Sequence, residues 1–391
     1  MTHTSIDRKS AIRFIVCFGL VSLFADMTYE GAHSSIGPLL DHLGASVAAV
    51  AFISGLGEML AAGLRFFTGR LADRTHAYWT LAIAGYALNV LAVPALAFAT
   101  TWQMVAILIT LERTGKAVRG PARDLLLSEA TAVVGHGSGF GLHAAMDQTG
   151  ACVGPLIMAA LVARSGQVAA AFAWLAIPAA AALLSIIAAR AVRPVKAEPP
   201  PIKARIELPA MFRTYVLAAG LLACGFIDFP VLASHFERAH MFSAAMIPLL
   251  YSIAMGVNGV TAFFFGRLFD RHGLVVLVWG ILVSALALPL GLLGGVAGGW
   301  AAIVCWATGL GAQDATLRSG IAQVVSMNKR GSAFGTFNGV YGVMWFLGST
   351  AMGLMYGYSL AALIAFGVVC QLVAAALFFR LRAPLAAARR A

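Results

Sequence analysis

The sequence predicts an all-α polytopic membrane protein: twelve transmembrane helices in two parallel, pseudo-repeated six-helix bundles. Three observations carry this. Apolar residues make up 60% of the 391 and charged residues only 11%, against about 45–50% and about 25% in soluble domains. The apolar residues fall in runs of about 20, the length a helix needs to cross a bilayer. The hexapeptide Gly69-Arg70-Leu71-Ala72-Asp73-Arg74 returns as Gly266-Arg267-Leu268-Phe269-Asp270-Arg271, 197 positions later (266 − 69). A polar block repeated half a chain apart marks a duplicated membrane domain, with the substrate path expected between its halves.

The runs place spans near 12–38, 46–68, 79–99, 102–127, 138–163, 168–189, 213–235, 244–265, 274–294, 299–326, 332–356 and 360–380. The polar start, Met1 to Ser10, leads directly into a first span too long for a signal-peptide core. Residues 1–190 form the first expected bundle and 213–391 the second. Between them, 191–212 reads as a cytoplasmic linker, because Arg193-Pro194 and Glu198-Pro199-Pro200-Pro201 cannot continue a helix. Further echoes support the duplication. Phe24-Ala25-Asp26 in span 1 matches Phe226-Ile227-Asp228 in span 7, and Gly137-Ser138-Gly139-Phe140-Gly141 matches Gly331-Ser332-Ala333-Phe334-Gly335.

The net charge of +11 does not point to nucleic acid, because of how it is distributed. On this span assignment, 19 of the 27 Lys and Arg lie in segments on one side, and only Arg164 and Arg238 lie on the other. The positive-inside rule then puts both termini in the cytoplasm and both hexapeptides on the cytoplasmic face; the inner membrane is the expected location. Cys17, Cys152, Cys224, Cys305 and Cys370 all lie in apolar segments at no metal-ligand spacing, so they read as small packing residues. No metal or cofactor is expected.

These residues resemble the major facilitator superfamily. Its signature between spans 2 and 3 is matched by Gly69, Leu71, Ala72, Asp73 and Arg74; the tail departs, with Thr75-His76-Ala77-Tyr78 where the family has Gly and Arg. The resemblance covers the whole chain. It implies a transporter in which Gly69 lets helices approach closely and Asp73 meets the N-terminal end of span 11 near Ser332, an anion against a helix dipole. Gly69, Asp73 and Arg74, and more weakly Gly266, Asp270 and Arg271, are thereby candidate parts of a cytoplasmic gate. In span 5, Gly150-Ala151-Cys152-Val153-Gly154-Pro155 resembles the superfamily motif associated with proton-coupled exporters, although Met158 and Ala159 replace its later glycines. Gly150, Gly154 and Pro155 are read on that basis, with generic helix packing as the alternative.

Ionisable residues inside a span demand a partner or a cavity. Span 1 carries Asp26 and Glu30, four apart on one face that His33 continues. Asp26 lies about 21 Å deep at 1.5 Å per residue. Two neighbouring carboxylates in low dielectric repel, which favours proton uptake by one of them. Span 4 carries Glu112, Lys116, Arg119 and Arg123 in one stripe, with Arg113 turned aside. Arg113 and Gly115 loosely resemble the superfamily's span-4 motif. Glu112 and Lys116 are expected to pair within the helix, Arg113 to meet Asp26 or Glu30, and Arg119 and Arg123 to join the gate. Asp26, Glu30, Glu112, Arg113 and Lys116 are therefore the proton-coupling candidates, with a fixed structural network as the alternative. Tyr29, Glu58, His143, Asp147, Gln148, Asp228, Asp314 and Arg318 are the substrate-cavity candidates. Asp314 and Arg318 stand four apart, suited to an internal ion pair.

Function follows as secondary active transport, read as proton-coupled export of a small organic compound by a monomer. Proton-driven uptake of an organic anion is the alternative. There is no nucleotide-binding phosphate loop for ATP drive, and no His-Glu-x-x-His or Gly-x-Ser-x-Gly for an enzyme. A transporter-like sensor or membrane enzyme is the remote reading.

Overall fold

The computed structural model describes residues 8–192, 210–325 and 330–388. The linker expected at 191–212 falls mostly at 193–209, outside the described residues. The helices are α1 (Arg8–His33), α2 (Ile36–His42), α3 (Val47–Thr75), α4 (Tyr78–Ala95), α5 (Trp102–Val134), α6 (His136–Ser165), α7 (Val168–Trp174), α8 (Ala176–Val192), α9 (Ala210–Gly225), α10 (Phe229–Arg238), α11 (Met246–His272), α12 (Val275–Ala285), α13 (Ala287–Leu293), α14 (Gly295–Val324), α15 (Arg330–Tyr356) and α16 (Leu360–Ala388). A 3₁₀ turn, Leu96–Phe98, extends α4, and no strand occurs among the described residues.

Among the described residues, ten helical stretches are long and apolar enough to cross a membrane. With α5 and α15 the helices group into twelve long rods. Those two fall outside the ten for different reasons: α5 carries the charged stripe, and α15 is diluted by six glycines. Four expected spans are not continuous. The first breaks between α1 and α2, the sixth between α7 and α8, the seventh between α9 and α10, and the ninth between α12 and α13. In each, a proline (Pro38, Pro178, Pro230 or Pro289) stands in the first turn of the second piece. Proline is accepted there because the first-turn N–H has no helical partner.

The chain divides into two compact units whose make-up differs from the two sequence halves. One comprises the described residues of Met1–His33 and Leu64–Pro201, the other those of Ser34–Gly63 and Ile202–Ala391. The first has a core of Phe14, Phe18, Trp79, Tyr86, Leu126 and Ile186. Glycines bring its helices into backbone contact in two pairs. A Cβ at Gly150 or Gly154 of α6 would collide with the carbonyl oxygen of Leu23 or Met27 on α1. A Cβ at Gly85 of α4 would collide with the Arg119 backbone, and one at Gly115 of α5 with that of Asn89.

The second unit centres on Phe212, Tyr215, Leu277, Phe337 and Phe378, with the Tyr215 hydroxyl donating to the Leu317 carbonyl at 2.6 Å. Residues 34–63 join it through definite contacts. Arg238 Nη2 lies 2.6 Å from Asp41 Oδ1 and donates at 2.7 Å to the Ala45 carbonyl, Ser234 donates to Asp41 Oδ2 at 2.5 Å, and Ser349 Oγ lies 2.9 Å from the Ala51 carbonyl oxygen. The break between α9 and α10 is capped from the side. Gln371 donates to the Gly225 carbonyl at 2.9 Å, and Trp306 to the Ile227 carbonyl at 2.8 Å.

The hexapeptides echo each other in geometry as well as sequence. The Arg70 guanidinium lies over the Phe66 ring at 3.9 Å, and the Arg267 guanidinium over Phe263 at 3.6 Å. Two residues past each copy the backbone turns left-handed, at His76 (φ 55) and Gly273 (φ 66). The departure at His76 thus puts a side chain where glycine is at ease, at a cost on the order of 1 kcal/mol.

Candidate functional site

The charged residues of the first unit converge where α1, α4, α5 and α6 meet. The element that makes this possible is α5, a helix of 33 residues with Pro121 inside it. Proline has no N–H, so it leaves the carbonyl four residues earlier, that of Ala117, without its helical donor. Thr68 of α3 supplies one at 2.9 Å. The stripe N-terminal to Pro121 then faces inward, with Glu112 7%, Arg113 5% and Arg119 2% exposed.

Each charge on the stripe has a neighbour. Arg113 Nε lies 3.1 Å from Glu112 Oε2, and its Nη2 lies 2.8 Å from His33 Nδ1. Asn89 of α4 donates to Glu112 Oε1 at 2.6 Å. Lys116 Nζ stands 3.9 Å from Glu30 Oε1 and 4.2 Å from the centre of the Tyr29 ring. Arg123 pairs with Asp124 at 2.8 Å. Asp26 is 4% exposed, and its Oδ1 lies 3.9 Å from Arg119 Nη2. That distance is an ion pair without a hydrogen bond, and Asp26 Oδ1, Arg119 Nε and Arg119 Nη1 have no hydrogen-bond partner. The guanidinium rests instead on aromatic faces, 4.4 Å from the Tyr86 ring and 5.6 Å from Tyr29.

On α6, His143 Nε2 lies 2.9 Å from Ser22 Oγ, and Ser22 Oγ lies 3.4 Å from the Tyr86 hydroxyl. Asp147 Oδ1 is buried with no hydrogen-bond partner. Gln148 is half-buried beside it in sequence.

Two expected pairings are corrected. The cation that faces Asp26 is Arg119, whereas Arg113 reaches Glu112 and His33. Lys116 meets Glu30 across the α1–α5 contact. Sequence spacing gives the face of α5 but not which neighbour each residue on it reaches. Asn89, Ser22 and Tyr86 carry no expectation from the sequence, and Arg119, expected at the gate, lies beside Asp26 instead. A lone Asn in the strongly apolar span 3, and a Ser one turn before Asp26, are the signals that could have found two of them, because a buried amide or hydroxyl needs a partner.

The remaining cavity candidates belong to the second unit, each in its own surroundings. Asp228, 5% exposed, accepts from Trp345 Nε1 at 2.6 Å and from Ser349 Oγ at 2.6 Å. It is an anchor holding the α9–α10 break to α15. Asp314 and Arg318 are exposed on α14, and Asp314 Oδ2 accepts from Asn258 at 3.1 Å. Glu58 is half-buried on α3. The Tyr341 hydroxyl donates to Gln313 at 2.9 Å.

For the gate, Asp73 is half-buried, and Arg74, Asp270 and Arg271 are exposed. A Cβ at Gly69 would lie 3.7 Å from Pro121 and one at Gly266 would lie 3.9 Å from Ala315. Both are ordinary contacts, so the expectation that Gly69 is needed for close approach is not met in this conformation. The partner expected for Asp73, the start of span 11 at Ser332, has a side chain outside the described residues.

Residues 18–349 match the family model of the Major Facilitator Superfamily. The chain belongs to that superfamily. It is a multi-pass membrane protein and a secondary transporter of this type. It is 37% identical to an uncharacterised protein of Mycobacterium tuberculosis over 385 residues, 96% of this chain and 94% of the relative. Among solved structures, it resembles a peptide transporter at TM-score 0.76 and 13% identity, with 99% of each chain covered. It also resembles a nucleoside transporter at TM-score 0.71 and 13% identity, covering 96% of this chain and 99% of the other. At such identity the likeness is one of fold.

Proposed function

We propose that the protein exports a small organic compound in exchange for protons, working as a monomer in the inner membrane with both termini cytoplasmic. The observation that carries this is the Asp26–Arg119 pair: both groups buried, 3.9 Å apart, with polar atoms on each side left without hydrogen bonds. A permanent structural ion pair in low dielectric is held together by hydrogen bonds, because desolvation otherwise outweighs the attraction. A pair left open in this way is poised between two states. With Asp26 ionised, Arg119 is its counter-charge. With Asp26 protonated, Arg119 is released and the α1–α5 contact loosens. A proton that changes the relative stability of two packings biases the alternating-access equilibrium. Glu30 and Lys116, one turn further along α1 and at the matching level of α5, extend the same contact. The span-5 motif, Gly150, Gly154 and Pro155, supports export over import by resemblance.

Uptake of an organic anion is the second reading. It is favoured by the unused donors Nε and Nη1 of Arg119, each of which can give a charge-assisted hydrogen bond to an anionic oxygen. A thermal-shift screen for ligands, followed by flux into proteoliposomes under inward and outward pH gradients, separates the two. Export by exchange requires substrate to move against the proton gradient and proton release to accompany counterflow. Substrate flux that is the same under both gradients would overturn proton coupling.

A further inference from the structure

The outer surface of the second unit carries a groove of about 340 Å³ between α12 and α16. Its walls are apolar, formed by Val275, Val278, Trp279 and Leu282 on α12, and by Leu372 and Phe379 with two alanines on α16. Trp279 is 63% exposed and Phe379 43%. On each helix the groove runs for eight residues, seven steps of 1.5 Å or about 10 Å. It lies at the end of the helices where cations gather. Phe379 is followed directly by exposed Arg380, and the Arg382 guanidinium stacks on the Phe379 ring at 3.5 Å. Arg271, exposed near the end of α11, precedes Val275 by four residues, with Asp270 beside it in sequence as the opposing charge.

We infer that this groove holds an acyl chain of an anionic glycerophospholipid, with its phosphate on Arg382 and within the field of Arg380. The apolar walls alone select nothing, because lipid tails are as apolar as the side chains that line the groove. Discrimination among lipids has to come from the mouth. There the Arg382 guanidinium, fixed in place by its stacking on a wall residue, matches the geometry of a phosphate, and Arg380 adds positive charge nearby. The occupant is a lipid rather than a soluble anion because the cations sit at the opening of a slot sized for a hydrocarbon chain. The inference does not depend on what the protein transports.

Trp279 reports on the slot. The full chain, in phosphatidylcholine nanodiscs, is given a fixed fraction of either dibrominated phosphatidylglycerol or dibrominated phosphatidylcholine, and tryptophan quenching is compared with that of Trp279→Phe. The Trp279 component should be quenched preferentially by the anionic lipid, with local enrichment of about fivefold per arginine. Arg382→Gln should remove about fivefold of the preference, and Arg380→Gln with Arg382→Gln nearly all of it, while quenching by phosphatidylcholine stays. Equal quenching of Trp279 by the two lipids in the wild-type protein would overturn the inference, whatever the variants do. So would a preference that survives the double substitution.

Discussion

Asp26 and Asp228 occupy the same place in the duplicated sequence, each ending a Phe-x-Asp echo, and their surroundings are opposite. Asp228 accepts two hydrogen bonds of 2.6 Å, from Trp345 and Ser349. Asp26 stands 3.9 Å from Arg119 with Oδ1 unbonded. Duplication copied a buried acid into both units. One copy became a fastener at a helix break, and the other keeps an oxygen without a hydrogen bond. An intramembrane carboxylate is thus a functional candidate only until its hydrogen bonds are counted.

The sharpest way to break this contrast is to neutralise both acids separately. Asp26→Asn should lower pH-driven flux in proteoliposomes by about 5- to 150-fold, the range of a typical coupling free energy, while the purified protein keeps its unfolding temperature. If flux were unchanged, Asp26 would be as structural as Asp228. Asp228→Asn should do the reverse. The amide keeps one acceptor oxygen and puts an N–H in place of the other, so the two charge-assisted bonds are lost, the one to Ser349 having to reverse, at about 1–3 kcal/mol; thermal unfolding of detergent-purified protein measures the loss, and proton coupling should persist. Gly154→Ala should cost a similar amount, about 1–3 kcal/mol, by pushing α6 off the Met27 carbonyl. An unchanged melting temperature would show that α1 and α6 are not in backbone contact. Glu30→Gln should act more weakly than Asp26→Asn, lowering flux by no more than about fivefold, since a partly exposed pair is worth about 1 kcal/mol or less. Smallest of all, Gly69→Ala should leave stability within about 0.5 kcal/mol, because the new methyl group finds ordinary contact with Pro121. A large loss there would restore the tight-packing role inferred from the sequence motif.

Much of the architecture was legible because membrane insertion leaves a coarse record: long apolar runs, cations massed at one side, and a repeat whose copies are 197 positions apart. Asp26, Glu30 and the α5 stripe stood out for the same reason, as charges where charges are costly. Their partners did not. Arg113 and Arg119 both lie on α5, and choosing which one reaches Asp26 requires knowing how α5 rotates and slides against α1, which tertiary packing decides. The helix breaks were less visible still. Pro38, Pro178, Pro230 and Pro289 sit in apolar runs whose hydropathy hardly changes, so each run looks like a single helix. The mixed make-up of the second unit came from contacts such as Asp41–Arg238, which lie 197 residues apart and have no sequence signature.

The glycine contacts sort the first unit into two tightly bound couples, α1 with α6 and α4 with α5. Asp26, His143 and Asp147 ride on the first couple, and Asn89, Glu112 and Arg119 on the second. Backbone touching backbone leaves no side-chain layer to yield within a couple, so motion is channelled to the seam between them. The 3.9 Å separating Asp26 from Arg119 crosses that seam. A shear of about 1 Å would close it to hydrogen-bonding distance, so the seam is a vernier, registering a small displacement of two rigid helix pairs as a hydrogen bond made or lost.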